Sequence, residues 1–396
     1  MKKLSNINLK NISYLANVVL LFSIIVDSTN ILFGIKNIAF IFFVTVSFPY
    51  AKFKNIFVFI IFLTIYFITL AVGVLTGQEI EYGFAIGTLK SFLFLTYLFW
   101  VNDDYLQICS IFYKLTLLIS IIIVILYTLI LLFPFLEGPA YLFLTSSTDQ
   151  SSIIAMSRRR FLGIRVFYMY YRTSPVCVIS LSIALFFLFS RKKIKYFFHS
   201  CILFLCLFLS GARANMLAGL FIVVSLVLCY IFYFKKSLFG FTAGFCIAGL
   251  SGIILIIRIL TDTERSVVVK AGHLESLLLH FSENPVRFLL IGTGAGSVFY
   301  STGFNSLTTQ TELTYLELIR IFGLLFTLVI ILILCIPFIN IINNKQYNKF
   351  LKISLGIGYL AYLFIAGTNP LIISSTGIVV VAVMFYISKK NILQEM

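Results

Sequence analysis

Apolar residues run along this chain in long blocks separated by short polar joints. A block of about 20 apolar residues is long enough to cross a bilayer as a helix, and somewhat fewer suffice when the helix is packed. Twelve blocks read as spans: 12–33, 37–51, 55–75, 84–101, 106–133, 172–190, 196–211, 213–234, 238–260, 313–339, 351–367 and 371–388. The second and seventh are short, and the second is parted from the third only by Lys52 and Lys54. Two joints are long, about 134–171 and 261–312. Both hold too many Leu, Ile, Phe and Tyr residues for a disordered linker. They are expected to fold back on the bundle as short amphipathic or re-entrant helices. No internal repeat is evident, so the repeat signature of many transporters is missing.

Composition agrees with this pattern. The 396 residues are 61% hydrophobic and 11% charged, with a mean hydropathy of +1.07. Soluble domains carry about 25% charged residues. The pattern therefore predicts an all-α polytopic membrane protein of about twelve spans, a single integral membrane domain over 1–396. The net charge of +16 does not point to nucleic acid, because the charges sit in short joints where they orient helices and meet anionic lipid. The basic start, Met1 to Lys10, precedes an apolar run without a small-residue cleavage site, and that run is read as a retained span. The seven Cys fall within apolar runs and show no zinc-like spacing, so they are read as buried apolar residues and no metal is expected.

The basic residues are sorted by type. With the N-terminus inside, 15 of 19 Lys fall on the inner side, which sets topology in the usual way. Of eleven Arg, only Arg191 lies there; Arg158, Arg159, Arg160, Arg165, Arg172, Arg213, Arg258, Arg265, Arg287 and Arg320 fall at or near the outer side. Topology disfavours that placement. Planar, permanently charged, multi-donor groups suit a phosphate or diphosphate.

Several outer motifs carry candidate chemistry. Leu209-Ser210-Gly211-Ala212-Arg213-Ala214-Asn215 puts a glycine turn and an Arg at a helix start, which suits an anion; an Arg snorkelling at a helical hairpin fits equally. Gly292-Thr293-Gly294-Ala295-Gly296-Ser297 follows Glu283-Asn284-Pro285 and Arg287. Its alternating glycines would let amides approach a phosphate, but it is neither a P-loop nor a dinucleotide fingerprint, and a flexible turn fits as well. In Gln310-Thr311-Glu312-Leu313-Thr314-Tyr315-Leu316-Glu317-Leu318-Ile319-Arg320, three ionisable residues open a span. Such residues are expensive in a bilayer, roughly 2.5–3.5 kcal/mol each at its centre, and argue for a water-filled cavity. Glu317 and Arg320 are also spaced to pair with each other. Glu312 is a candidate general base. His273 and His280 lie seven apart in the second long joint, on one face if that stretch is helical; structural roles fit them too. Tyr168, Tyr170, Tyr171 and Tyr300 suit sugar stacking or an interfacial aromatic belt. Asp103-Asp104 is a carboxylate pair on the inner side that reads as a solvated turn ahead of a sugar-nucleotide and metal site, and Asp27 and Lys90 read as buried groups of unknown partner. Ala366-Gly367-Thr368-Asn369-Pro370 is a helix stop and turn.

Taken in order, Ser-Gly-Ala-Arg-Ala-Asn at 210–215, Gly-Thr-Gly-Ala-Gly-Ser-Val-Phe-Tyr at 292–300, Thr-Glu-Leu-Thr-Tyr-Leu-Glu-Leu-Ile-Arg-Ile-Phe-Gly at 311–323 and Gly-Thr-Asn-Pro at 367–370 resemble the O-antigen polymerases (Wzy) of Gram-negative bacteria. The resemblance covers roughly 205–375; the first half matches in span layout and a basic outer loop. Each motif is short, and their order and shared outer placement carry the likeness. The related O-antigen ligases are similar in fold but carry a His near the start of the corresponding outer region, where this chain has Glu312.

The resemblance implies a GT-C-type bundle in the bacterial inner membrane, with both termini cytoplasmic and two long periplasmic segments. It implies metal-independent, cofactor-independent, inverting glycosyl transfer at the periplasmic face. The donor would be a glycan on undecaprenyl diphosphate, the acceptor a repeat unit on a second such lipid, and a chain-length regulator a protein partner. In that chemistry Glu312, His280 and His273 are the candidate proton acceptors. Arg213, Arg287 and Arg320, supported by Arg158, Arg159, Arg160, Arg165, Gly294 and Gly296, would bind diphosphate, and Tyr168, Tyr170, Tyr171 and Tyr300 would stack on sugar. The rivals are a ligase and a lipid-linked oligosaccharide flippase. A flippase would be expected to line a central cavity with charge along several spans, whereas here charge gathers in two outer segments.

Overall fold

The computed structural model describes residues 2–26, 35–100, 104–144, 154–161, 164–232 and 265–389. The expected span 238–260, with Asp27, Asp103, Lys235, Lys236, Cys246 and Arg258, lies outside the described residues.

The chain is a helical bundle. Its first part holds α1 (Lys2–Val26), α2 (Lys36–Ser47), α3 (Ile56–Leu75), α4 (Tyr82–Leu93), α5 (Ile108–Leu132) and the short α6 (Glu137–Leu144). A hairpin of β1 (Ile154–Phe161) and β2 (Ile164–Tyr171) leads into α7 (Cys177–Arg191), α8 (Ile194–Leu209) and α9 (Arg213–Tyr230). Then come α10 (Arg265–Glu283), α11 (Pro285–Leu290), a small hairpin of β3 (Phe299–Ser301) and β4 (Ser306–Thr308), α12 (Thr314–Asn343), α13 (Lys349–Gly367) and α14 (Ser375–Lys389).

Among the described residues, eight helices are long and apolar enough to cross a membrane, and three shorter apolar helices, Lys36–Tyr50, Ile194–Leu209 and Ser375–Lys389, accompany them. Ten of these eleven helices lie within about five residues of an expected stretch, whereas α1 runs from Lys2 to Val26 and so starts before the expected 12–33. One differs internally: α4 gives way to a 3-10 stretch from Phe94 to Trp100, where the Trp100 indole N–H donates to the Ser47 carbonyl at 2.7 Å.

α7 and α14 form the centre. Residues 177–187 and 375–388 are buried without interruption, as expected for helices apolar on every side. The surrounding helices leave Ile41, Phe57, Leu131, Leu132 and Leu332 exposed, an apolar surface suited to lipid.

Hydrogen bonds tie the two ends of the bundle separately. At one end the Lys389 ammonium donates to the Asn55 side-chain oxygen at 2.8 Å, and Asn344 donates to the Ser388 carbonyl at 3.1 Å. Lys10 of α1 stands over the rings of Tyr50 and Tyr105 there. We refer to this as the lysine end. At the opposite end Thr314 donates to the Asn369 carbonyl at 2.6 Å, Thr173 to the Ile25 carbonyl at 2.7 Å, and Arg287 to the Thr76 hydroxyl at 2.7 Å. The motifs gather at this second end.

The two long joints meet the expectation in part. The first holds the short helix α6 and then a β-hairpin that was not expected. Its Ile-, Val-, Phe- and Tyr-rich strands favour extended backbone, and the register sets Arg160 opposite Arg165, Arg158 opposite Phe167 and Arg159 opposite Val166. The second supplies the expected amphipathic helix as α10, then adds the β3–β4 hairpin.

Candidate functional site

The motif end is built around a break in α12. Gly323 adopts φ 79° and ψ 162°, a conformation open essentially to glycine alone, and interrupts the helix. The Arg320 and Ile321 carbonyls beside it accept from the Thr293 and Gly294 N–H groups at 2.8 and 2.9 Å. Gly294 and Gly296 are equally committed. A Cβ on Gly294 would lie 2.7 Å from the Thr69 carbonyl oxygen, and one on Gly296 2.7 Å from that of Glu81. The alternating glycines thus let the loop thread between α3, α4 and α12. The Thr293 and Gly294 amides are thereby used within the fold.

Arg320 is committed within the fold in the same way. It is fully buried, and all three guanidinium nitrogens are engaged. Nε and Nη2 donate to the Glu317 carboxylate, the closest contact being 2.6 Å. Nη1 donates to the Ser297 hydroxyl at 2.6 Å and the Ser297 carbonyl at 3.0 Å, and Nη2 to the Thr309 carbonyl at 2.8 Å. The cation also sits 4.5 Å from the centre of the Phe299 ring. Glu317 accepts a further bond from Thr311 at 3.3 Å. The pair is therefore a saturated brace between α12 and the 293–311 loop. The water-filled cavity expected from these charges is not needed to explain them.

Glu312 is different. It lies just before α12 with its side chain 42% exposed, and its Oε2 is 3.4 Å from the Lys270 ammonium of α10. Lys270 also donates to the Thr368 carbonyl at 3.4 Å, so one ammonium joins three separate segments. Tyr170 of β2 is near enough for the Glu312 charge to act on it. Burial is the main cause that raises the Tyr170 phenol, Arg172 opposes it, and Glu312 adds to it.

His273 lies one turn along α10 from Lys270. It is fully buried, with Nδ1 2.6 Å from the Ser301 hydroxyl and its ring against Phe304. Its Nε2 has no hydrogen-bond partner among the described residues. Burial pushes the imidazole below its usual value; Glu312 and Glu317 oppose this and Lys270 reinforces it. His280 shares the helix face but not the cluster. It stacks on Phe299, rests beside Phe288 and lies 3.6 Å from Glu283. Burial and then Arg320 lower its basicity.

The remaining expected residues divide. Arg213 begins α9 half-buried beside the Gly211 turn, where Gly211 faces the Tyr168 ring. Arg287 donates to the Gly292 carbonyl at 3.0 Å as well as to Thr76. It lines an open cavity of about 480 Å³ with Val72, Thr76, Glu283, Asn284 and Leu290. Arg158, Arg159, Arg160 and Arg165 lie on the hairpin strands. Tyr168 is buried on Gly211, and the Tyr171 hydroxyl donates to the Ile25 and Val26 carbonyls, so both anchor the hairpin instead of presenting a stacking face. Tyr300 is exposed and bonds Asn305 within its own hairpin. No group of three or more His, Cys, Asp or Glu suited to a metal occurs among the described residues.

Sequence reasoning missed Lys270. The signal was present, since Lys270 is a lysine on the arginine side of the chain's own partition. Comparison with protein-family models, with characterised proteins and with solved structures gives no match for this chain.

Proposed function

We propose that this protein is an O-antigen polymerase, an inverting glycosyltransferase that joins undecaprenyl-diphosphate-linked repeat units at the periplasmic face of the inner membrane. In this reading the lysine end faces the cytoplasm and carries both termini, as the positive-inside bias favours. The motif end faces the periplasm.

The observation that carries the reading is the meeting at Lys270 of the Glu312 carboxylate and the Thr368 carbonyl, which joins three segments distant in sequence at the end where the motifs gather. An exposed carboxylate beside cations is what the reaction needs. The acceptor hydroxyl attacks the anomeric carbon of the donor and its proton passes to Glu312. The bond from that carbon to the diphosphate oxygen breaks, and the leaving undecaprenyl diphosphate takes the electron pair. Arg213 and Arg287 at this end, with the hairpin arginines, would meet the charge as it develops. Arg320 is left out, because its donors are already used.

Deletion of the gene in its host tests the reading. The expected product is lipopolysaccharide with core plus a single repeat unit; loss of every repeat unit would instead indicate the ligase or flippase. Glu312→Gln and Arg213→Ala should each abolish long chains at unchanged protein level. Full-length polymer from both would remove them from the site.

A further inference from the structure

Two carboxylate–cation pairs stand at the start of α12, and they are built in opposite ways. Glu317 and Arg320 are fully buried, joined at 2.6 Å and cross-bonded on all sides. Glu312 and Lys270 are 42% and 35% exposed and 3.4 Å apart. The first pair is fixed. The second is of the solvent-exposed kind that contributes little to stability and exchanges readily. Lysine is also the residue suited to exchange, as a compact charge on a flexible stem, whereas arginine suits a fixed planar fork.

We propose that Lys270 is a displaceable clamp on Glu312. In the free protein it occupies Oε2, the oxygen that would take the acceptor's proton. A diphosphate arriving at this end draws the ammonium away, because its clustered anionic oxygens outbid a single carboxylate. Glu312 is thereby uncovered only when a donor is present. Lys270 is thus a positioning residue acting through Glu312, and the inference rests on the reading of Glu312 as the proton acceptor.

A second observation marks the same place as unfinished. His273 Nε2, one turn along the same helix face, is buried without a partner among the described residues, while Nδ1 is held by Ser301. Either tautomer leaves the ring one hydrogen bond short. A buried polar atom left unsatisfied is costly, and such atoms call for an explanation. A ligand oxygen bound beside Lys270 supplies the missing partner. Arg320 does not compete for that role, since Glu317, Ser297 and Thr309 hold its nitrogens.

The clamp makes an unusual prediction, because diphosphate and Glu312 compete for one ammonium. Removing the carboxylate charge should improve anion binding. Inorganic diphosphate is titrated calorimetrically into the full-length protein in nanodiscs, in chelator-containing buffer, with thermal unfolding run on each variant. Relative to the unaltered protein, Glu312→Gln should bind about fivefold more tightly, the scale of one exposed ion pair. Lys270→Gln should bind about tenfold more weakly, as a lost charge-assisted contact to phosphate would cause. Equal or weaker binding by Glu312→Gln, or no binding by the unaltered protein, overturns the clamp. Glu312→Gln decides the sign by itself, so poor folding of Lys270→Gln does not leave the matter open. Tighter binding by Glu312→Gln together with full-length polymer in cells would keep the clamp and reject Glu312 as the polymerase base. Absent polymer with unchanged diphosphate affinity would do the reverse.

Discussion

Gly292 and Gly323 meet backbone to backbone: a Cβ on Gly292 would lie 2.5 Å from the Gly323 nitrogen, and one on Gly323 2.5 Å from the Ile291 nitrogen. Neither has room for a side chain, and both have positive φ. Gly323→Ala must therefore either shift the loop or straighten α12. The backbone conformation alone costs an alanine roughly 1–3 kcal/mol, and the collision adds to it. The expected outcome is a clear fall in melting temperature in detergent, accompanied by loss of the Arg320 brace. An unchanged melting temperature would mean that α12 has no need of its break.

Arg320 tests the difference between bracing and binding. Arg320→Ala leaves the Glu317 carboxylate buried without its cation, a loss of about 3–5 kcal/mol. Replacing both members by Met removes the two charges together and should recover most of that stability. If the pair is only a brace and the proposed polymerase activity holds, cells carrying the double variant should regain long glycan chains along with the fold. Recovery of melting temperature without recovery of chain length would give Arg320 a direct part in the reaction.

The bundle was legible in the sequence because a span announces itself locally, through twenty apolar residues and a charged joint. The hairpin at 154–171 was not, because strand pairing depends on register between two segments, and the arginines there masked the Ile, Val, Phe and Tyr content that favours extended chain. Glu317 and Arg320 were visible as an i, i+3 pair, yet their burial was not, since Ser297 and Thr309 reach them from a loop that sequence spacing does not locate. Glu312 stood out as a carboxylate at a span's edge. Its partner Lys270 lies 42 positions earlier and meets it only because α10 folds back over the start of α12. The charge partition could have singled Lys270 out, but no spacing rule would have paired it with Glu312.

The hairpin is held to the bundle by a close approach that can be spoiled at one atom. A Cβ on Gly211 would lie 2.5 Å from Cγ of Tyr168, and Gly211 has φ +65°. Gly211→Ala should lift β2 from the turn before α9 while leaving the spans in place. Limited proteolysis checks this: cleavage within 154–171 should quicken in the variant, while the spans stay protected. Tyr168→Ala in the same background relieves the collision and should cause little further change. Equal cleavage rates in Gly211→Ala and the unaltered protein would show that Tyr168 does not pin the hairpin.

His273 and His280 both have imidazoles held below the ordinary value of 6.5, chiefly by burial. Around His273 stand Lys270, Glu312 and Glu317; around His280 stand Arg320, Arg287 and Glu283. The direction of the pH effect follows from which state takes the proton first. Well above pH 6.5 both rings are neutral whether the chain is folded or not, and they contribute nothing to the pH dependence. Below it the unfolded chain binds protons that the folded protein still refuses, so stability falls as pH falls until the folded value is passed. Each ring can lower stability by up to about 1.4 kcal/mol per pH unit in that interval. Melting temperature measured from pH 7.5 to 5 should therefore drop, and His280→Gln should make the drop shallower. His199 is common to both proteins and cancels in the comparison, and ordinary carboxylates titrate mostly below this window. His280 is preferred for the substitution because its ring is partly exposed and outside the Glu312 cluster, so the slope changes without dismantling the candidate site. A variant with the same slope as the unaltered protein would mean that His280 titrates normally in the fold.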